Sequence, residues 1–252
     1  MPPLTVGANV CSFTAVDIER GNTQKGVNQE IIRFLTANHI KPNSAFDLPC
    51  GDGPFLRNLT KVFKNIKIKG QDLMATPTKD IEKFFNRAGS DDWRFLENEK
   101  VDLITCISGV MAFDNLTDYF QKAQNHLNPG GHLVVTNDNL FTVRDRISLL
   151  LFGRFKRFVS LYKPNEGNWN VVLPQAIWKL YRNNNFKVVK IQYCSLYVED
   201  LIFLPLAVIL YPIQFLYLMS QKSEMTMKER YQLFPFQVML CRHYIFYGQK
   251  NN

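Results

Sequence analysis

The sequence predicts an α/β domain with a mostly parallel sheet at its centre, and three observations carry that prediction. Short apolar runs with strand character alternate with runs of helical period from Val27 onward. A glycine-rich segment, Asp47 to Gly53 (DLPCGDG), sits where a strand hands over to a helix, and an acidic residue, Asp72, closes the next strand. Such alternation requires right-handed crossovers and places a ligand crevice at the C-terminal ends of the strands.

The elements follow in order. The first two dozen residues read as an irregular arm ending at Arg20-Gly21-Asn22, and the arm is assigned to residues 1–25 and the folded domain to 26–252. Val27, Ile31, Phe34 and Leu35 share one face of a helix over Val27–Asn38, which Lys41-Pro42-Asn43-Ser44 stops. Ala45–Leu48 is a short apolar strand, and Phe55, Leu56, Leu59, Val62 and Phe63 recur at helical spacing behind the glycine turn. Next come a strand over Lys67–Met74, a helix over Lys79–Ala88, a strand over Val101–Ser108 and a helix over Leu116–Leu127. The turn Asn128-Pro129-Gly130-Gly131 then leads into a strand over His132–Thr136.

Composition narrows the class. With 252 residues, 46% hydrophobic and 21% charged, the chain is globular rather than disordered or fibrous. Its cysteines (Cys11, Cys50, Cys106, Cys194, Cys241) are scattered without a C-x-x-C pair, which indicates neither a disulfide framework nor a metal site. MPPLTVGANVC lacks the basic segment and apolar run of a signal peptide, so a cytoplasmic location is expected. The net charge of +8 is uneven: residues 1–139 hold 15 Lys/Arg against 16 Asp/Glu, and residues 140–252 hold 15 against 6. A basic C-terminal half suggests an anionic counterpart.

In the glycine turn, Gly51 and Gly53 let the backbone turn sharply and approach a ligand, and the following helix offers its N-terminal amides. Asp72 lies 25 residues beyond Asp47, where a carboxylate can accept both hydroxyls of a ribose. A dinucleotide fingerprint would need a third glycine where Leu56 stands, no triphosphate loop occurs, and Asp47 would repel a pyrophosphate. The pattern suits a cationic nucleoside.

On these residues the chain resembles the class I S-adenosylmethionine-dependent methyltransferases. DLPCGDG looks like their first motif, GQDL the second, VDLITCISGV the fourth strand and its loop, and LNPGGHLVV the turn and strand after the fourth helix. Pro49 departs from the motif by replacing its first glycine. The resemblance implies a Rossmann-like seven-stranded sheet, helices on both faces and an antiparallel last strand. It implies S-adenosyl-L-methionine as cofactor, with the loop Asp47, Pro49, Cys50, Gly51 and Gly53 around the methionine end. Asp72 would hold the ribose, Leu73 would flank the adenine, Asp92 would meet the adenine amino group, and Ile107 and Ser108 would line the methionine side.

It further implies a helix over Pro174–Asn184, a strand over Lys187–Tyr193 and a last strand over Arg242–Gln249. Two insertions remain, 140–172 and 195–241, both at the active-site rim. The first spaces Val143, Ile147, Leu150 or Leu151, Phe155 and Phe158 as an apolar stripe among Arg144, Arg146, Arg154, Lys156 and Arg157, a basic amphipathic helix. The second contains Leu201–Ser220, twenty residues without a charge but with Pro205 and Pro212, which predict a broken, hairpin-like or surface-lying element. Together they suit peripheral or re-entrant membrane contact through 141–158 and 201–220, on the cytoplasmic face, or a lid over the substrate.

No catalytic residue is assigned. Asn137 and Asp138 face the crevice, whereas His39, His126, His132 and His243 read as structural. The chain lacks the [ND]-P-P-[YF] motif of amino-group methylation, and Cys106 lies inside a strand. The expected activity is methyl transfer, O-methylation first, to a small-molecule or lipid-linked acceptor; nucleic acid is disfavoured. The competing readings are a non-catalytic docking protein of the same fold and an RNA methyltransferase.

Overall fold

The computed structural model describes residues 17–158 and 169–251. Residues 1–16 of the expected arm, with Cys11, and residues 159–168 of the first insertion lie outside the described residues. In chain order the elements are α1 (Val27–Ala37), β1 (Ser44–Asp47), α2 (Pro54–Val62), β2 (Lys67–Gln71), β3 (Phe85–Asn86), β4 (Val101–Ile107) and α3 (Leu116–His126). Then follow β5 (Leu127–Asp138), α4 (Val143–Phe152), α5 (Pro174–Asn183), β6 (Phe186–Cys194), α6 (Leu204–Ser220), α7 (Met227–Leu233) and β7 (His243–Lys250).

The seven strands form one sheet in the order β3-β2-β1-β4-β5-β7-β6, with β7 antiparallel to both its neighbours and every other pairing parallel. Side chains alternate across the sheet and fill two cores. Ala45, Leu103, Val134, Ile245 and Tyr247 pack with α1 and α2 on one face. Phe46, Ile104, Leu133, Val135, Tyr244 and Phe246 pack with α3 and α5 on the other. Order reverses at β1, between β2 and β4, so the crevice opens at the ends of β1 and β4.

The predicted helix over Lys79–Ala88 is absent; a single 3-10 turn, Glu82–Phe84, leads into the two-residue edge strand β3. The cause is the free edge of β2, whose backbone groups pair with Phe85 and Asn86. The buried amide of Gln71 reinforces the extended path, donating to Gly89 O (2.7 Å) and Asp92 O (2.6 Å) and accepting from Asn86 Nδ2 (3.1 Å). β5 also starts earlier than predicted. The turn Asn128–Gly131 becomes a register shift against β4, held by Asn128 Nδ2 on Asp102 Oδ1 at 2.7 Å.

The apolar run is neither broken nor a hairpin. Pro205 falls in the first turn of α6, where its missing amide leaves no bond unmade, and the helix continues through Pro212 to Ser220. The helical stretch Val198–Ser220 is long and apolar enough to cross a membrane by length and composition. It nevertheless lies on the surface, with Ala207 the one buried residue of α6. Its ends return to one place in the sheet, because Cys194 of β6 pairs directly with His243 of β7. The expected stripe of the first insertion is also redistributed: α4 buries Val143 and Ser148, while Leu149, Leu150, Leu151 and Phe152 at its last turn are exposed.

Candidate active site

Asp47 ends β1 with its carboxylate buried at the floor of a cavity of about 470 Å³. Thr105, its neighbour on β4, donates its hydroxyl to Asp47 Oδ1 at 2.6 Å. Burial pushes the Asp47 carboxyl up to about 8; the Thr105 hydrogen bond opposes this and the negative charge of Asp72 adds to it. The chain then turns through a cis Leu48–Pro49 peptide, and Cys50 N–H donates to Gln71 O at 3.0 Å, tying the loop to β2. Pro49 fits only because residue 109 is glycine: a Cβ there would come within 2.1 Å of the proline Cδ.

Gly51 has a φ of 58°, and a Cβ on it would meet open space. Its N–H donates to Asp72 Oδ2 at 3.0 Å, while Asp72 Oδ1 accepts from Met74 N–H (2.9 Å) and Ala75 N–H (2.8 Å). Asp72 therefore stands rigidly on the wall of the cavity that Asp47, Pro49, Cys50 and Gly51 also line. Gly53, at φ 94°, caps α2 behind the loop, where a Cβ would strike Ile81 at 2.7 Å. Leu73 points outward and is exposed, its carbonyl accepting from Arg87 at 3.2 Å. Burial, with the nearby Asp47 charge, drives the Cys50 and Cys106 thiols well above their usual range, so neither is a ready nucleophile.

Ile107 and Ser108 form the opposite wall. Ser108 takes a left-handed φ of 56°, a strained conformation for a residue with a side chain. Its N–H donates to Thr136 Oγ1 at 3.0 Å, and its Oγ lies 2.8 Å from Thr23 Oγ1 and 3.4 Å from His243 Nε2. His243 is fully buried at the start of β7, between Asp138 Oδ1 (3.2 Å from Nδ1) and Thr136 Oγ1 (3.0 Å from Nε2). In the tautomer that Asp138 imposes, Nδ1–H donates to the carboxylate and Nε2 turns its lone pair to the hydroxyls of Thr136 and Ser108. Burial would raise the Asp138 carboxyl, yet the hydrogen bonds and charges of His243 and Arg157 outweigh it and hold it below its usual range. The pleat separates Asn137 from this group: its side chain points into the core and donates to Val172 O at 3.2 Å.

Asp92 stands apart from these residues. It borders another concavity with Trp93 and His126, and its carboxylate is held down at about 2 by hydrogen bonds from the Arg94 side chain and backbone. Sequence reasoning passed over the residues of the arm that close the cavity, namely Arg20, Asn22 and Thr23, together with Asn28 of α1 and Arg157 and Trp169 of the first insertion. Asn28 Nδ2 holds the arm down by donating to Glu19 O (2.9 Å) and Arg20 O (3.0 Å). A buried polar residue on the apolar face of α1 was the available signal.

A family model described as a methyltransferase domain matches residues 20–191. No curated protein matches the chain. Solved structures share the fold. An S-adenosylmethionine-dependent methyltransferase from Clostridium acetobutylicum superposes with a TM-score of 0.55 at 16% identity, covering 94% of this chain and 93% of that one. A phosphoethanolamine N-methyltransferase from Haemonchus contortus, in complex with S-adenosylhomocysteine, gives 0.53 at 12% identity, over 91% of this chain and 54% of that one. Geranyl diphosphate C-methyltransferase from Streptomyces coelicolor gives 0.52 at 12% identity, over 89% and 81%. The chain belongs to the methyltransferase-domain family and is a class I methyltransferase whose cofactor is S-adenosyl-L-methionine.

Proposed function

We propose that this enzyme methylates a hydroxyl of an apolar or lipid-linked acceptor at the surface of a membrane. The observation that carries the reading is the exposed face of α6, in which Leu206, Val208, Ile209, Ile213, Leu216 and Tyr217 all meet solvent without a charged neighbour in the helix. Beside it, Arg146 of α4 donates to Gln214 of α6, so the exposed Leu150, Leu151 and Phe152 extend the same surface. An apolar patch of this extent on a monomer marks an interaction surface. The segment leading to α6 is tied to the cavity rim, with Tyr197 O–H donating to Gln24 Oε1 at 2.8 Å and Arg242 paired with Asp200 at 2.7 Å. Arg144, Arg146, Arg154, Lys156 and Arg157 lie in or just after α4, and this basic sequence favours an anionic lipid surface over a purely apolar partner.

The residues suit the cofactor. The cavity lies within the roughly 300–1,000 Å³ span of small-molecule sites, and its buried Asp47 carboxylate matches a cationic ligand. The open space over Gly51 leaves room for the ligand backbone, and Asp72 faces where ribose hydroxyls would lie. When bound, the cofactor supplies an electrophilic methyl group on a sulfonium. The chain's own part is to orient the acceptor and take its proton. Ser108 Oγ accepts the proton of the attacking hydroxyl as it gives its own to His243 Nε2, and Asp138 stabilises the imidazolium so formed. His243 is thus a positioning residue that acts through Ser108.

Flotation with phosphatidylglycerol-containing liposomes tests the reading. Wild type should float, and an Ile213→Asp/Leu216→Asp variant should stay in the dense fraction while keeping its melting temperature and its calorimetric affinity for S-adenosylmethionine. Equal flotation of the two, or none of the wild type, would sink the membrane reading, and salt-sensitive RNA binding in its place would favour RNA methylation.

A further inference from the structure

A second cavity, of about 190 Å³, opens beside the Ser108–His243–Asp138 group and contains four basic residues, Arg144, Lys156, Arg157 and Arg242. Two of them are neutralised. Arg157 pairs with Asp138, and Arg242 is clasped by Asp200 (2.7 Å) and Glu199 (2.8 Å). The remaining acid in the lining, Asp145, is occupied by the Thr142 hydroxyl (2.5 Å) and the backbone N–H of Lys156 (2.9 Å). Among the described residues, Arg144 and Lys156 have no carboxylate at ion-pair distance, and Arg144 Nε is buried with no acceptor at all. A buried guanidinium N–H without a partner is costly, and an anion brought to it removes that cost.

We infer that this cavity binds a phosphate-class anion between Arg144 and Lys156. A planar guanidinium fork beside a mobile ammonium is the pairing that recognises phosphate oxygens, and the volume suits one such group. The placement says what the anion belongs to. Gln24, Asp138 and Arg157 are shared with a small cavity of about 290 Å³ over Ser108, which in turn shares Thr23 and Ser108 with the cofactor cavity. Arg144 stands in the first turn of α4, and seven residues on, about 10 Å along the helix, stands Leu151 of the exposed apolar surface. An amphiphile can therefore set its anionic head on Arg144 and Lys156, a hydroxyl toward Ser108 and its chain over α4 and α6. The identity of the carrier rests on the lipid reading above; the anion does not.

Calorimetric titration of dihexanoyl phosphatidate, inorganic phosphate and zwitterionic dihexanoyl phosphatidylcholine into the full chain tests this. Phosphatidate should bind at least tenfold more weakly to Arg144→Gln/Lys156→Gln than to wild type, with phosphatidylcholine silent in both. Lys156→Gln alone, at an exposed side chain, should give a measurable part of the loss and guards against misfolding of the double variant. Tighter binding of phosphatidate than of phosphate assigns the site to a lipid head group, and equal binding assigns it to free phosphate. Anion affinity unchanged by the double substitution, or no binding by the wild type, overturns the site. Because S-adenosylmethionine affinity should be the same in all three proteins and liposomes are not used, failure of the membrane reading leaves this result readable.

Discussion

Among the described residues Thr105 is the one side-chain donor to Asp47, which is buried, and burial pushes the Asp47 carboxyl up to about 8, with the charge of Asp72 adding. A raised carboxyl binds more protons in the folded than in the unfolded chain, so its contribution to stability is full below about pH 4 and is lost as pH rises through about 8. A cationic ligand reverses the preference and drives the proton off. We expect cofactor affinity to climb with pH up to about 8, and binding at pH 7 to release a proton, read as a heat that changes with the ionisation enthalpy of the buffer. Asp47→Asn should bind the cofactor at least tenfold more weakly and without pH dependence, about 1.4 kcal/mol or more. Its cofactor-free melting temperature should hold between pH 5 and 9 where the wild type falls, by about 2–4 °C per kcal/mol. His243 gives a different signature. His243→Gln should leave cofactor affinity intact and lower the transfer rate on a lipid hydroxyl by about 10²–10⁴. It should lower kcat while leaving KM for the acceptor unchanged, a split that loss of a merely structural histidine would not give.

Elements whose local chemistry and tertiary role agree were legible. The strand–turn–helix at Asp47–Gly53 is written in apolar residues, glycines and a helix period that all fall within some twenty positions, and the structure keeps them in that order. The third strand was not legible, because Lys79–Ala88 carries a helical period while the free edge of β2 and the buried Gln71 decide its path. α6 misled in a related way: Pro205 and Pro212 argue for a break, but a proline in the first turn costs nothing and one interior proline does not outweigh a helix anchored at both ends. Arg230 supplies the second anchor, donating to Leu218 O (2.9 Å) and Met219 O (3.0 Å) from α7. The site was half legible for the same reason. Asp47 and Asp72 announce themselves by spacing, whereas His243 meets Asp138 across 105 residues of sequence, and only the antiparallel register of β5 with β7 brings them together. Asn137 and Asp138 looked equivalent in sequence, and the pleat sends one to the core and the other to the cavity.

At the scale of the whole molecule, charge and apolar surface are segregated together. The basic excess of the sequence lies wholly beyond residue 139, the same portion that supplies α4, α6 and the cavity holding Arg144 and Lys156. The N-terminal portion, close to neutral, supplies the acidic floor of the cofactor cavity at Asp47 and Asp72. One part thus suits a cation and the other an anionic surface, and on the membrane reading proposed above α6 would face lipid with the cavity mouth beside it. Each basic residue near an anionic membrane adds about 1 kcal/mol of attraction, and that attraction fades as the Debye length shrinks from about 10 Å at 0.1 M salt to about 3 Å at 1 M. Binding to phosphatidylglycerol-containing vesicles should therefore weaken by a factor of ten or more over that range. Binding to phosphatidylcholine vesicles should be weaker throughout and nearly insensitive to salt, since burial of Ile209, Ile213 and Leu216 carries no charge. Vesicle co-sedimentation across a salt series separates the contributions, and equal, salt-independent binding to both lipids would mean that the basic pole plays no part in docking.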